Sequence, residues 1–150
     1  LSAKRVREHR EGDLPEFRLA EEAIKGPSPI WKLYYQGSVG GQTLTGLPIV
    51  KRLHEKRAAK LWPFETGWKP LTPPELSDAE AVFGEIYPSM FAAKAAAGGV
   101  KDEAQVRAAC EHFNALDEKG QLGALFGPTK DDSRRSVIEG EEGWILGAPA

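Results

Sequence analysis

The sequence predicts a single mixed α/β domain, and three observations support that fold class. Its 150 residues match the size of one ordinary domain. The segment Ala81–Tyr87 is apolar and aromatic, as strands are, and Pro88 follows it directly. The segment Glu103–Lys119 repeats apolar residues at steps of three and four, which is typical of an amphipathic helix. Strand and helix patterns therefore occur in one chain of domain size.

The composition of the chain excludes several classes of protein. Apolar residues make up 41% and charged residues 28%, and the net charge is only -2. Sixteen glycines and eleven prolines are fewer than a disordered chain of this length would contain. A soluble, foldable domain is expected, whereas a basic nucleic-acid coat, an acidic tail protein, a collagen-like chain and a membrane partner are disfavoured.

The first residue and the single cysteine bear on processing and compartment. The chain begins with Leu1 and has no apolar signal-peptide core, so we expect a processed form or the later part of a longer protein. Cys110 is the only cysteine, which excludes an intrachain disulfide and favours a reduced, cytoplasmic setting. Because Cys110 falls on the apolar stripe of a predicted helix, we expect it to pack in the core rather than to act as a nucleophile.

The first half of the chain is predicted to contain five short elements. Pro48 restricts the fourth of them, because a helix must begin or bend near a proline. In order they are a helix over Phe17–Lys25, a strand or packed loop over Ile30–Tyr35, a glycine-rich turn over Gly37–Thr43, a helix over Gly46–Lys56 and a strand over Ala58–Phe64.

The second half is predicted to be a loop, a strand, a long helix, a short helix and a closing strand or tail. In order they cover Lys69–Asp78, Ala81–Tyr87, Glu103–Lys119, Asp131–Ile138 and Trp144–Leu146. Apolar side chains lie on both faces of the best strand, at Val82, Phe83 and Ile86, so we expect it to be buried on both sides. Two or three short strands do not form a stable sheet alone, and the missing partners would most simply precede Leu1.

Two carboxylates follow or interrupt predicted strands. Glu85 stands inside an apolar strand, where a charge is costly unless it is paired, hydrogen-bonded or bound to a metal. A solvent-facing edge residue and a metal-binding or acid/base group near a strand end both fit Glu85. Glu65 comes just after another strand, and two carboxylates that converge there would suit Mg²⁺. Asp132, with Asp131, is a third acidic candidate, although stabilising a helix start explains this pair equally well.

The glycine-rich turn and one arginine are candidates for binding an anion. Gly40 and Gly41 could present backbone N–H groups at a helix start. The turn lacks the Lys and Ser/Thr of a nucleotide P-loop, so a plain turn is favoured. Arg18 could also hold an anion, and a solvated helix face explains it as readily.

Six short motifs occur in an order that resembles a known family. They are Phe17–Glu21, Gly37–Gln42, Gly46–Pro48, Trp62–Glu65, Glu85–Ser89 and Glu142–Ile145. The series resembles the C-terminal two-thirds of an uncharacterised bacterial family that is grouped with predicted ribonuclease H-like nucleases. The resemblance implies a mixed five-stranded sheet flanked by helices, whose first strands and leading Asp would precede Leu1.

This resemblance implies metal-dependent hydrolysis of phosphodiesters with Mg²⁺ or Mn²⁺, and a nucleic-acid partner. Glu85 and Glu65 match acidic positions of the family and would be the catalytic and metal-binding residues, with Asp132 as a loose third. Two alternatives stay open: a non-catalytic interaction module of the same fold, and a phosphate- or nucleotide-binding protein that uses the glycine turn. The only candidate basic patch is Lys51, Arg52, Lys56 and Arg57, which a solvated helix face also explains.

Overall fold

The computed structural model of the chain describes residues 15–29, 33, 40–94 and 100–150. Within these ranges the protein is mixed α/β, as predicted, with helices far outweighing a sheet of two short strands. The helices are α1 (Leu19–Ala23), α2 (Gly40–Lys56), α3 (Lys101–Asp117) and α4 (Arg135–Val137), and the strands are β1 (Ala59–Leu61) and β2 (Ala81–Phe83). Further turns of helix are 3₁₀ at Pro73–Leu76, Pro88–Lys94 and Leu122–Phe126, and a π-helical turn at Ile138–Glu142.

Helix α2 is longer than the sequence predicted. It begins at Gly40, so the prediction of a turn through Thr43 is wrong for the part of that segment that the structure describes. Pro48 lies inside the helix, although proline has no N–H to donate to the carbonyl one turn earlier. The hydroxyl of Thr45 bonds back to the carbonyl oxygen of Gly41 at 3.0 Å, which holds the first turn.

Strands β1 and β2 are parallel, with Ala59 opposite Ala81 and Leu61 opposite Phe83. Both are shorter than predicted. After β1 the chain enters a turn at Pro63, which cannot donate a ladder hydrogen bond. Beyond β2, the pairing is reduced to one parallel bridge between Glu85 and Ile145. The predicted closing strand at Trp144–Leu146 is therefore present only as this bridge.

The long helix was predicted at nearly its observed bounds, and its predicted apolar stripe of Val106, Ala109, Cys110, Phe113 and Leu116 is buried only in part. Gln105, Ala108 and Ala109 are buried, while Val106 is 49% exposed and Cys110 is also exposed. The prediction that Cys110 packs in the core is wrong. Helix α3 packs against the 3₁₀ segment Pro88–Lys94, where the ring of Phe91 contacts His112 and Phe113 and Gln105 donates a hydrogen bond to Ser89.

The core forms where the turn after β1 meets the C-terminal segment and α1. The rings of Trp68 and Trp144 lie 5.0 Å apart at its centre, and both side chains are almost fully buried. Trp62 is also buried, so the expectation that these tryptophans are core residues is confirmed, while Trp31 lies outside the described residues. The other core members are Ala20, Leu71, Ile138, Ile145 and Leu146.

Several other predictions can be placed on the structure. Ile86 is 42% exposed, so β2 and its continuation are not buried along both faces. The predicted helix over Asp131–Ile138 is reduced to α4, which continues into the π-helical turn.

Apart from Leu33, the segment Ile30–Tyr35 lies outside the described residues, as does the turn from Gly37 to Val39. In the described part of the chain, no helix combines the length and apolar character that crossing a membrane requires.

Candidate functional site

A two-pronged ion pair joins Arg18 to Glu85. Arg18 immediately precedes α1, and Glu85 lies two residues beyond β2. The guanidinium donates from Nη1 to Oε2 of Glu85 at 2.9 Å and from Nη2 to Oε1 at 3.0 Å. This parallel arrangement is the strong geometry of an arginine–carboxylate pair. The side chain of Arg18 is 16% exposed and that of Glu85 is 47% exposed, so the pair is open to solvent on the glutamate side.

A second carboxylate, Glu21, contacts Arg18 from within α1. Nε of Arg18 donates to Oε1 of Glu21 at 3.1 Å, and the backbone N–H of Arg18 donates to Oε2 at 3.0 Å. The side chain of Glu21 is only 3% exposed. Burial lowers the pKa of Arg18, but the hydrogen bonds and charges of Glu85 and Glu21 outweigh it, so the pKa is raised above its ordinary value. Arg18 is therefore a cation shared by two carboxylates.

The C-terminal segment closes this cluster through Glu142. The backbone N–H of Leu19 donates to Oε2 of Glu142 at 2.7 Å, and Nη1 of Arg18 donates to the carbonyl oxygen of Glu142 at 3.0 Å. The backbone N–H of Leu146 donates to the carbonyl oxygen of Glu85 at 2.9 Å. Three segments that are distant in sequence are thus joined around one guanidinium.

Glu65 lies in a separate arrangement at the turn after β1. Its Oε2 accepts from the backbone N–H of Leu61 at 2.6 Å and lies 2.9 Å from Nε2 of His54. The Leu61 hydrogen bond, and then the hydrogen bond and charge of His54, lower the pKa of Glu65. Since His54 belongs to α2, this contact ties that helix to the end of β1.

Asp132, the third acidic candidate, is paired with Arg134. Its Oδ1 accepts from Nε and its Oδ2 from Nη2 of Arg134, at 2.9 and 2.7 Å, and Oδ1 also accepts from the backbone N–H of Arg134 at 2.9 Å. These bonds lower the pKa of Asp132 to about 2. Asp132 therefore neutralises Arg134, the residue that directly precedes α4.

Each of the nominated carboxylates already has a basic partner. Glu65 and Glu85 follow the carboxyl ends of two neighbouring parallel strands, which agrees with the placement expected from the sequence. However, Glu85 is held by Arg18, Glu65 by His54 and Asp132 by Arg134. Among the residues that the structure describes, no three His, Cys, Asp or Glu side chains are grouped so that they could hold a metal ion. We therefore derive no reaction step through Mg²⁺ or Mn²⁺.

Two of the three anion-binding candidates, Gly40 and Arg18, have other contacts that explain them. Gly40 is buried against Leu33, and a Cβ at position 40 would lie only 2.3 Å from the Cα of Leu33. Close packing accounts for this glycine. A Cβ at Gly41 would meet nothing within 4 Å, and the guanidinium of Arg18 is already shared by carboxylates. Anion binding at Gly40, Gly41 and Arg18 stays a prediction.

Several exposed apolar side chains of the described residues lie on one side of α2, which we call the α2 apolar face. It consists of Leu47, Ile49, Val50 and Leu53, whose exposed fractions range from 40% to 57%. The helical spacing of most of these residues is visible in the sequence, but it normally indicates a core-facing stripe. The sequence also contains a signal that α2 is unusual. The helix includes three glycines and a proline, and these residues weaken a helix.

Comparison with family models, with curated proteins and with solved structures yields no match to this chain. The resemblance to ribonuclease H-like nucleases therefore stays a prediction.

Proposed function

We propose that this chain is a protein-binding module and that α2 is the element that docks on its partner. The observation that carries this proposal is the exposure of the whole α2 apolar face. Single exposed leucines are ordinary on a protein surface, but a contiguous apolar patch is typical of an interaction site. An interaction module is also one of the functions that the sequence left open.

The poor support that α2 receives from the described parts of the chain favours the same function. Gly40 is its only buried residue, and α2 packs mainly against β1. An isolated helix of 17 residues is marginal in water even with good helix formers, and α2 contains Gly40, Gly41, Gly46 and Pro48. A partner that covers the apolar face would supply the packing that most protein helices obtain from their own core.

A cross-linking experiment tests this function directly. A photoreactive amino acid at Leu47 is expected to give a discrete adduct with one partner in the source cells, and the same group at Val106 is the matched control. Val106 is a similarly exposed apolar residue, but on α3. The identified partner should then bind the purified chain, and Leu53→Asp should weaken that binding at least about tenfold, as loss of a central apolar contact does. Identical adducts from both positions, or unchanged binding by Leu53→Asp, would refute the module.

Metal-dependent hydrolysis of phosphodiesters remains a second candidate because of one specific observation. Glu65 and Glu85 follow neighbouring parallel strands, and strand ends are where α/β folds place their sites. Glu85 is also half exposed, and its carboxylate has lone pairs beyond the two that face Arg18. If this candidate is right, Mn²⁺ titrated into the chain should bind, and Glu85→Gln should abolish both the binding and any cleavage of DNA or RNA. Metal binding that survives this substitution would exclude Glu85 as a ligand.

A further inference from the structure

We infer that the partner of α2 is an acidic amphipathic helix that packs its apolar side on the α2 apolar face. This inference rests on the proposed function and names the chemistry of the partner. It follows from the arrangement of apolar and basic side chains on α2, taken together with the charges that its own chain leaves unpaired.

The apolar side chains are arranged to receive a helix. Leu47, Val50 and Leu53 succeed one another at steps of three residues, and such a row forms a ridge on one side of a helix. Ridges of this kind pack into the grooves of another helix. Each of these three side chains is at least 40% exposed, so the ridge is accessible along about two turns.

Basic side chains border one side of this ridge. Arg52 and Lys56 are one turn apart, and each lies three residues after an exposed apolar residue, Ile49 or Leu53. Both are exposed, and neither has an ion-pair partner among the described residues. Two unpaired cations beside an apolar ridge complement a helix that carries carboxylates next to its own apolar side.

The other charges of this region are already satisfied within the chain. Lys51 pairs with Glu55, which is the only carboxylate of α2, and Arg57 lies 3.7 Å from Glu80. A second copy of α2 would therefore bring no free carboxylate to Arg52 and Lys56. A nucleic acid would complement the cations but would leave the leucines uncovered. An acidic amphipathic helix satisfies both features.

The test uses three synthetic 18-residue helical peptides that share one leucine pattern and differ only at the flanking positions, which are glutamate, glutamine or lysine. Fluorescence anisotropy with the full chain is expected to show that the glutamate peptide binds about 3- to 30-fold more tightly than the glutamine peptide, as two exposed ion pairs allow. This preference should fall sharply between 50 and 500 mM salt (roughly 14 and 4 Å of screening length). The lysine peptide should bind most weakly.

Charge reversal provides a matched control. Arg52→Glu with Lys56→Glu should reverse the preference, so that the lysine peptide becomes the tightest ligand. Lys119→Glu with Lys130→Glu changes the net charge equally at exposed positions outside α2 and should leave the preference unchanged. If both double variants reversed the preference among the peptides, the net charge of the chain alone would determine binding. That result would overturn the inference of an acidic partner for α2.

The outcomes separate this inference from the function on which it rests. Equal binding of the glutamate and glutamine peptides, lost in Leu53→Asp, would overturn the acidic partner and leave α2 as a docking element. Failure of every peptide to bind would refute the helical partner. A dimer in sedimentation experiments that Leu47→Asp dissociates would assign the face to a second copy of the chain. Binding to vesicles rich in phosphatidylserine, without binding to any peptide, would assign it to a lipid surface. Either result would overturn the inference.

Discussion

Arg18 joins three segments of the chain through one guanidinium. It contacts Glu21 in α1, Glu85 after β2 and the carbonyl of Glu142 at the end of the π-helical turn. The two carboxylates differ in environment, because Glu21 is buried and Glu85 is half exposed. Removing the cation should therefore cost far more than removing the exposed carboxylate.

We expect Arg18→Met to destabilise the protein by about 3 kcal/mol, since it leaves the buried carboxylate of Glu21 without its cation. Glu85→Gln should cost only about 0–1 kcal/mol, because the pair that it weakens is open to solvent. Urea unfolding of both variants measures the difference. Similar losses for the two would contradict the assignment of Glu21 as the critical partner of Arg18.

Asp132 should make the stability of the protein depend on pH in the acidic range. Arg134 lowers the pKa of this carboxyl to about 2 in the folded state, against an ordinary value of 3.8. The folded state therefore binds its proton more weakly than the unfolded state. The contribution is fully present above the ordinary pKa and is lost as the pH falls toward 2.

In Asp132→Asn, the difference in Tm from the unmodified chain should consequently be largest near pH 5 and should shrink toward pH 2. Asp117→Asn, at an exposed position near the end of α3, corrects for the loss of one negative charge. A Tm difference that stays constant across this range would rule out the Arg134 pair as its cause.

Helix α3 was predicted correctly as an element, but only part of its predicted apolar stripe is buried. Periodicity predicted the helix because Val106, Cys110 and Phe113 follow one another at steps of four and three residues. The structure buries Ala108 and Ala109 and leaves Val106 and Cys110 exposed, while Phe113 packs on Phe91. Spacing along the helix marks a stripe, but which of its members are covered depends on where the neighbouring segment lies.

Substitutions on the two faces of α3 should accordingly differ in effect. Cys110→Ser at an exposed site should change the free energy of unfolding by less than about 0.5 kcal/mol. Ala109→Leu, at a residue that is 1% exposed, should cost about 1–3 kcal/mol through overpacking. Chemical unfolding measures both, and the thiol of Cys110 should react with Ellman's reagent in the folded protein. A thiol that reacts only after unfolding would contradict its exposure.

Two glycines of α2, Gly46 and Gly40, should respond in opposite ways to substitution by alanine. A Cβ at Gly46 would meet nothing within 4 Å, so Gly46→Ala should stabilise the helix by about 0.5–1 kcal/mol. Gly40→Ala should instead destabilise the protein, because its Cβ would collide with the backbone of Leu33. Thermal unfolding distinguishes the two; a change of the same sign in both would show that their local packing is not as described.

At the scale of the whole molecule, long-range contacts decide the chemistry of the carboxylates. The sequence indicated that Glu65 and Glu85 follow strands, because strand residues and prolines mark those boundaries locally. It did not indicate that Arg18, which is 67 residues from Glu85, would hold that carboxylate with two hydrogen bonds. Partners so far apart in the chain leave no periodic or local signal.

The sequence by itself determined the mixed class of the fold, the approximate bounds of α3 and the burial of Trp62, Trp68 and Trp144. These features depend on local propensity, on hydrophobic periodicity and on the size of the indole ring. Only the tertiary structure decided which face of α3 is buried, which cations hold the three nominated carboxylates, and that the apolar face of α2 is exposed. Those properties depend on which segments meet in space, and a pattern within one segment does not specify its neighbour.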